Sequence, residues 1–272
     1  MGKIKTIYFI GGFPRSGSTL LTELLNQNPQ FHASKTSGLI QLLNMIRNNW
    51  TLIDAFQSVG IEKTLPKMRS LLRGALESFY GEEFDQDLIV FNKDRAILNN
   101  IEFLEEVLGY EVKIITCIRD VKDIVSSFEK LNRKNTLIKN NLYGENGLSI
   151  YSRSSEILSP TGVVGNCVSM LRDCFQKGYS DRLVILPFGH LTNDPKNTME
   201  ELHNMLNLPS FEYDFNNVLQ TEVENDFIYG IPDLHKVNKV VKHVESDALE
   251  ILGEQICKEI DESFGDIKKL LG

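Results

Sequence analysis

The chain has 272 residues, 42% apolar and 24% charged, with a formal net charge of −8. That length fits one α/β domain spanning 1–272, and no apolar run approaches the ~20 residues needed to span a bilayer. The acidic balance argues against general nucleic-acid binding, so an anionic ligand would need a local cluster of basic side chains and backbone N–H groups.

The N-terminus, "MGKIKTIYFI", has too short an apolar core for a secretory signal. Gly2 and Thr6 match the loose pattern for N-myristoylation. A first strand beginning near Ile4 leaves no free arm, so that pattern is discounted. The strand-like runs are "TIYFIGG" (6–12), "LIVFN" (88–92), "VKIITCI" (112–118) and "LVILPF" (183–188). Each is short, apolar on both faces and rich in β-branched residues, as buried parallel strands are. Helical patterns lie between and after them, at 18–27, 65–80, 99–109, 121–131, 194–208 and 247–264. The segment "NPQFHASKTSGL" (28–39) carries no strand signal and reads as a loop. Alternation of strands and helices predicts a three-layer α/β fold, a central parallel sheet with helices on both faces. Ligands in such sheets bind beyond the carboxyl ends of the strands. Residues 132–160 break the alternation: they are polar, rich in Asn and Ser and without clean periodicity. They read either as a lid or substrate loop or as a plain surface excursion.

At the first strand-to-helix junction, Gly12-Phe13-Pro14-Arg15-Ser16-Gly17-Ser18-Thr19 fits G-x-x-x-x-G-x-[ST]. Glycines let consecutive N–H groups wrap a phosphate, and the helix N-terminus turns its positive end to the same point. Ser18 stands where an ATP-binding loop has its lysine, and Arg15 supplies the positive charge instead. A tight turn with a solvent arginine is the plain alternative. A second junction follows the third predicted strand, where Arg119 precedes a helix and Ser127 lies eight residues on. One guanidinium fork and one hydroxyl suit a phosphate monoester. An Arg119–Asp123 ion pair over a buried small residue at 127 is the alternative, and Ser126 is the neighbouring candidate.

"FPRSGSTLLTELLNQNP" resembles the 5′-phosphosulfate loop of sulfotransferases that use 3′-phosphoadenosine 5′-phosphosulfate (PAPS), in the style of tyrosylprotein and bacterial members. That likeness implies a P-loop-like fold in which Arg15, Ser16, Gly17, Ser18 and Thr19 hold the 5′-phosphosulfate. In "IITCIRDVKDIVSSFEKL" the family spacing of Arg and Ser implies that Arg119 and Ser127 hold the 3′-phosphate. "VFNKDRAIL" resembles the family's Asn-Lys-Asp, which implies that Lys93 reaches the transferring sulfate. "LVILPFGHLTNDP" is similar to a segment near the adenine, with Phe188 in place of a tyrosine, so a ring is offered without a hydroxyl. "GIPDLHKVNK" (230–239) stands where the family has a basic loop over the cofactor, and there His235, Lys236 and Lys239 are candidates.

The base is the open position. Arg95 occupies the place of the cytosolic members' histidine, and Thr36 that of the tyrosylprotein members' glutamate. Neither is a base at neutral pH. His32 and Asp94 are the available groups; His32 has a suitable intrinsic pKa, and Asp94 adjoins Lys93 but also Arg95. The four cysteines form no C-x-x-C pair and the five histidines show no metal spacing. Free thiols in a reducing cytoplasm are the expectation. The combined expectation is a metal-independent transferase that moves a sulfuryl group from PAPS to a hydroxyl-bearing acceptor. A divergent P-loop kinase or NTPase is the alternative, and a nucleotide-binding protein without catalysis is a third reading. The sequence does not name the acceptor.

Overall fold

The computed structural model describes residues 6–138, 142–143, 147–221 and 223–271, so Gly2 lies outside the described residues. Five strands form one parallel sheet: β1 (Ile7–Gly12), β2 (Phe31–Thr36), β3 (Ile89–Lys93), β4 (Ile114–Ile118) and β5 (Leu183–Pro187), in the order β2-β3-β1-β4-β5. Successive residues of a strand face opposite sides of the sheet. Phe9, Val90 and Ile114 therefore join one apolar cluster, and Ile10, Phe91 and Ile115 the other. All six are fully buried, which explains why these strands read as continuous apolar runs. Helices cover both faces, and the three-layer arrangement expected from the sequence is the one found.

The expected loop at 28–39 contains β2, which the sequence reading missed. It is an edge strand, paired only with β3, and its ladder shifts register between Ala33 and Thr36. Phe31 and Ala33 are buried while His32 and Lys35 are only half so, leaving too few apolar positions to announce a strand. The predicted C-terminal helix is two, Ala248–Leu252 and Glu254–Lys268, parted at Gly253, whose φ of 83° lies in the left-handed region. Residues 132–160 are not one loop. The helix Val121–Lys134 runs into them, and Ile150–Leu158 is a helix with a Ser149–Ser152 capping box. Residues 139–141 and 144–146 of that segment lie outside the described residues.

The chain order places β1 centrally, between β3 and β4, where the connections diverge to the two halves of the sheet. Open α/β sheets form a crevice at such a switch point. The register sets Ile10 beside Lys93 and Gly12 beside Cys117, so the carboxyl ends of β1, β3 and β4 meet. Among the described residues, no helix is long and apolar enough to cross a membrane.

Candidate active site

A cleft of about 550 Å3 opens at these strand ends. Its size suits a nucleotide-sized ligand. The floor is the loop from Gly12 to Gly17, whose shape is fixed by backbone conformation. Gly12 has φ 106° and a Cβ there would meet the Cys117 carbonyl oxygen at 2.1 Å. Gly17 has φ 89° and a Cβ there would fall 2.7 Å from the Phe188 ring. Only glycine fits either place without strain. Arg15 itself has φ 57°, an unusual conformation for a side chain of its size. The loop is tied down by the Phe13 N–H, which donates to the Cys117 carbonyl at 2.8 Å. Ser16 is buried, with its hydroxyl 2.6 Å from the Phe13 carbonyl and 3.0 Å from that of Cys117. Its side chain thus shapes the loop and does not line the cleft, whereas Gly17, Ser18 and Thr19 do.

The two expected anion sites are one cluster. Arg15 Nε donates to Ser127 Oγ at 3.0 Å, and its Nη1 donates to the Leu234 carbonyl. Arg119 Nη1 donates to the Arg15 carbonyl at 3.3 Å, and its guanidinium lies 4.5 Å from the centre of the Phe188 ring. Arg119 Nε is 3.9 Å from Asp123 Oδ2 yet is buried without a hydrogen bond. Ser126 is committed elsewhere, donating to Asp247 Oδ1 at 2.6 Å. On the other side of the loop, Lys93 ends β3 and its Nζ lies 3.4 Å from Thr19 Oγ1. Burial lowers the pKa of all three cations. Arg15 is pushed down to about 10, with Arg119 adding like-charge repulsion; Arg119 and Lys93 are lowered in the same direction. Desolvated cations gathered around glycine-shaped backbone are a site that gains by receiving negative charge.

Phe188, His235 and Lys236 all line the cleft. Phe188 opens a short helix after β5, and its ring face is taken by Arg119. Asp94 also lines the cleft, but its carboxylate accepts from the Ala96 N–H at 2.8 Å and caps the turn Arg95–Asn100. His32 is not brought to the cleft. It pairs with Val90 at the far part of β2, four residues and so ~13 Å of strand from Thr36. Its Nε2 is 3.7 Å from Glu83, and its ring lies edgewise on Tyr80.

Two residues that the sequence reading did not single out complete the site. Glu224 Oε2 is 3.7 Å from Lys93 Nζ and 3.6 Å from His235 Nδ1, and Oε1 accepts from the Thr36 N–H at 3.4 Å. Asp226 is buried and takes two bonds from His235: Nδ1 at 2.6 Å and the backbone N–H at 2.9 Å. Burial would raise the Glu224 carboxyl, but Lys93, His235 and Thr36 outweigh it and hold the pKa below its usual value. The segment carrying both acids is anchored by buried Glu23, whose Oε2 accepts from the Thr221 N–H and hydroxyl at 3.2 and 3.1 Å. Gln220 Nε2 adds a bond to the His235 carbonyl at 3.1 Å. Among the described residues, no cluster of His, Cys, Asp and Glu could hold a metal ion.

The sequence model of the sulfotransferase family matches residues 8–213. Over 97% of its length the chain is 23% identical to the protein-tyrosine sulfotransferase of Drosophila melanogaster, and it covers 50% of that protein. The chain thus spans about half the length of this curated relative. Among solved structures, the sulfotransferase domain from the curacin biosynthetic pathway superposes with a TM-score of 0.60 at 14% identity, covering 97% of this chain and 99% of that one. Mouse sulfotransferase SULT7A1 complexed with PAP superposes with a TM-score of 0.51 at 14% identity, covering 97% and 85%. At such identities these superpositions speak for the fold.

Proposed function

The chain belongs to the sulfotransferase family, and from that premise we propose that it transfers a sulfuryl group from PAPS to a hydroxyl-bearing acceptor. The observation that carries this reading is the joining of two anion sites by Arg15. A donor with phosphate on its ribose and phosphosulfate at its 5′ end presents two anionic groups, and the cleft has basic groups for both. The mouse structure complexed with PAP supports the same ligand class.

Binding would redistribute the cations. Arg15 can leave Ser127 and Leu234, both neutral partners, for a charged oxygen. Arg119 has a buried, unpartnered Nε to offer, and Ser127 a hydroxyl freed when Arg15 turns to the ligand. We assign these two to the 3′-phosphate, and the N–H groups of residues 16–19 with Arg15 to the 5′ end. Phe188, His235 and Lys236 border the remaining space. When bound, PAPS supplies the sulfuryl group and leaves as adenosine 3′,5′-bisphosphate. Lys93, buried and beside Thr19, would neutralise the charge that develops on the bridging oxygen. Arg15, Lys93 and the loop N–H groups supply the positive field here, so no divalent cation is required by the design.

The test is transfer from PAPS in EDTA to a panel of phenols, sugars and tyrosine peptides, with release of adenosine 3′,5′-bisphosphate followed directly. Product formation unaffected by the chelator supports the reading. Activity that requires Mg²⁺ and ATP would replace it with phosphoryl transfer.

A further inference from the structure

Resting on the sulfuryl-transfer reading, we propose that His235 is the catalytic base that takes the acceptor's hydroxyl proton, and that Asp226 positions it. The geometry is that of a carboxylate–imidazole pair. Asp226 Oδ1 is 2.6 Å from Nδ1 and Oδ2 is 2.9 Å from the backbone nitrogen of the same residue, so one buried carboxylate clamps both ring and main chain. An ionised carboxylate only accepts, so in the neutral imidazole Nδ1 is the nitrogen that carries the hydrogen and Nε2 the one with the lone pair. His235 lines the cleft, and Tyr229 packs edgewise on the ring at 5.7 Å between centroids. Nε2 is therefore the nitrogen left to receive a proton, with its tautomer set by the carboxylate behind it.

The ring also stands at the reacting end of the cleft. Glu224 Oε2 lies 3.6 Å from His235 Nδ1 and 3.7 Å from Lys93 Nζ, so a single carboxylate oxygen separates the imidazole from the lysine. The charged groups around the ring are Asp226 and Glu224 from its own segment, Lys93 from β3 beyond Glu224, Arg15 through the Leu234 carbonyl and adjacent Lys236. The two carboxylates nearest the ring stabilise the imidazolium that forms. Glu224 is the poorer base. Its Oε2 is buried, the residue is not part of the cleft lining, and Lys93 and His235 hold its pKa down. Its place is to orient Lys93.

In the step, the acceptor oxygen forms a bond to sulfur and the bond from sulfur to the bridging oxygen breaks. The bridging oxygen keeps the electron pair beside Lys93, and the hydroxyl proton passes to Nε2 of His235. No oxidant, reductant or metal enters.

The experiment uses the full chain. Heteronuclear NMR of the side-chain nitrogens should show, besides His203, whose Nδ1 faces the Pro209 carbonyl at 2.6 Å, an Nδ1–H tautomer signal that is lost in His235→Gln and redistributed in Asp226→Asn. Turnover of PAPS is then followed with 4-nitrophenol, with a tyrosine peptide and with water alone as acceptors, together with calorimetric binding of adenosine 3′,5′-bisphosphate. His235→Gln should lower kcat ~100-fold or more and remove the acid limb of the pH profile, as expected for loss of a general base. Nucleotide affinity should stay within about threefold, reading as a loss confined to the chemical step. Asp226→Asn should lower kcat and displace the acid limb, and Glu224→Gln should keep that limb. An active wild type whose His235→Gln variant retains rate and acid limb overturns the proposal and leaves the sulfotransferase reading standing. So does transfer of the limb's loss to Glu224→Gln. A wild type that binds the bisphosphate but consumes no PAPS, even with water, overturns the base assignment. A wild type that does not bind the bisphosphate overturns the functional reading and the base with it. Should His235→Gln not fold, the tautomer in the wild type and its response to Asp226→Asn decide.

Discussion

The two walls of the cleft are built differently. The sheet side, Gly12 to Thr19 with Arg119 and Ser127, is held by glycine conformations and backbone bonds to β4, and its charged side chains, Arg15 and Arg119, are both positive. The opposite side, 221–244, has among its described residues one short 3-10 helix, Asp226–Tyr229, with exposed Phe227 and Ile228, and otherwise turns and extended chain. It is held by side-chain bonds from Glu23 and Gln220, and it carries carboxylates as well as basic residues. A rigid cationic floor suits binding that must be strong before and after reaction. A wall in which acids hold a lysine and a histidine suits charge that changes during reaction.

The sharpest way to break this contrast is at its meeting point. Lys93→Ala should lower kcat by ~10²–10³, as loss of one preorganised donor to a developing oxyanion does, with nucleotide binding changed much less. Steady-state kinetics with calorimetry separates the two effects, and a normal kcat would show that β3 does not end at the reaction centre. Next in size, Arg119→Ala should weaken adenosine 3′,5′-bisphosphate by about 2 kcal/mol through loss of a charged partner. It should barely change binding of an analogue lacking the 3′-phosphate. Equal losses for both ligands would remove Arg119 from that role.

Titration sharpens the contrast further. Burial lowers the Lys93 pKa in the free protein, and a bound anion should raise it again. The protonated lysine is the form that favours an anion. Affinity for the bisphosphate should therefore be full below the free-protein pKa and fall as pH rises from there toward the higher pKa of the complex. Calorimetry across that range checks the sign, and affinity that rose with pH would contradict it. The smallest expected effect is on the second wall itself. Thr221→Val removes the hydroxyl bond to Glu23 and should cost about 1 kcal/mol, or ~2–4 °C in Tm. A thermal melt measures it.

What the sequence showed and what it hid divide along the same line. Loop 12–19 and the Arg119–Ser127 pair are local: each is a strand end, a turn and a helix start within a few residues, so spacing offers them as candidates and the family resemblance favours them over the plainer alternatives. β2 was hidden because an edge strand buries one face and pairs on one side, leaving polar residues in a run too short to show alternation. Asp226 and Glu224 were hidden for another reason. Nothing local distinguishes a carboxylate in "EVENDFIYG" from a solvated one, and their meaning comes from Lys93 and Thr36, brought near by the sheet and by Glu23. The same long-range closure explains His32. Its suitable intrinsic pKa and its place four residues before Thr36 made it a candidate, while the direction of β2 carries it away from the cleft.

The most direct test of the account is calorimetric titration of the metal-free protein with adenosine 3′,5′-bisphosphate, adenosine 5′-monophosphate and ATP. If Arg15, Arg119 and Ser127 form one site for two phosphate positions, the bisphosphate binds tightest, and by ~30-fold or more over the 5′-monophosphate, the ratio expected for one charged hydrogen-bonding group at about 2 kcal/mol. Equal affinity for the bisphosphate and the 5′-monophosphate, or ATP binding that exceeds both once Mg²⁺ is added, would contradict it.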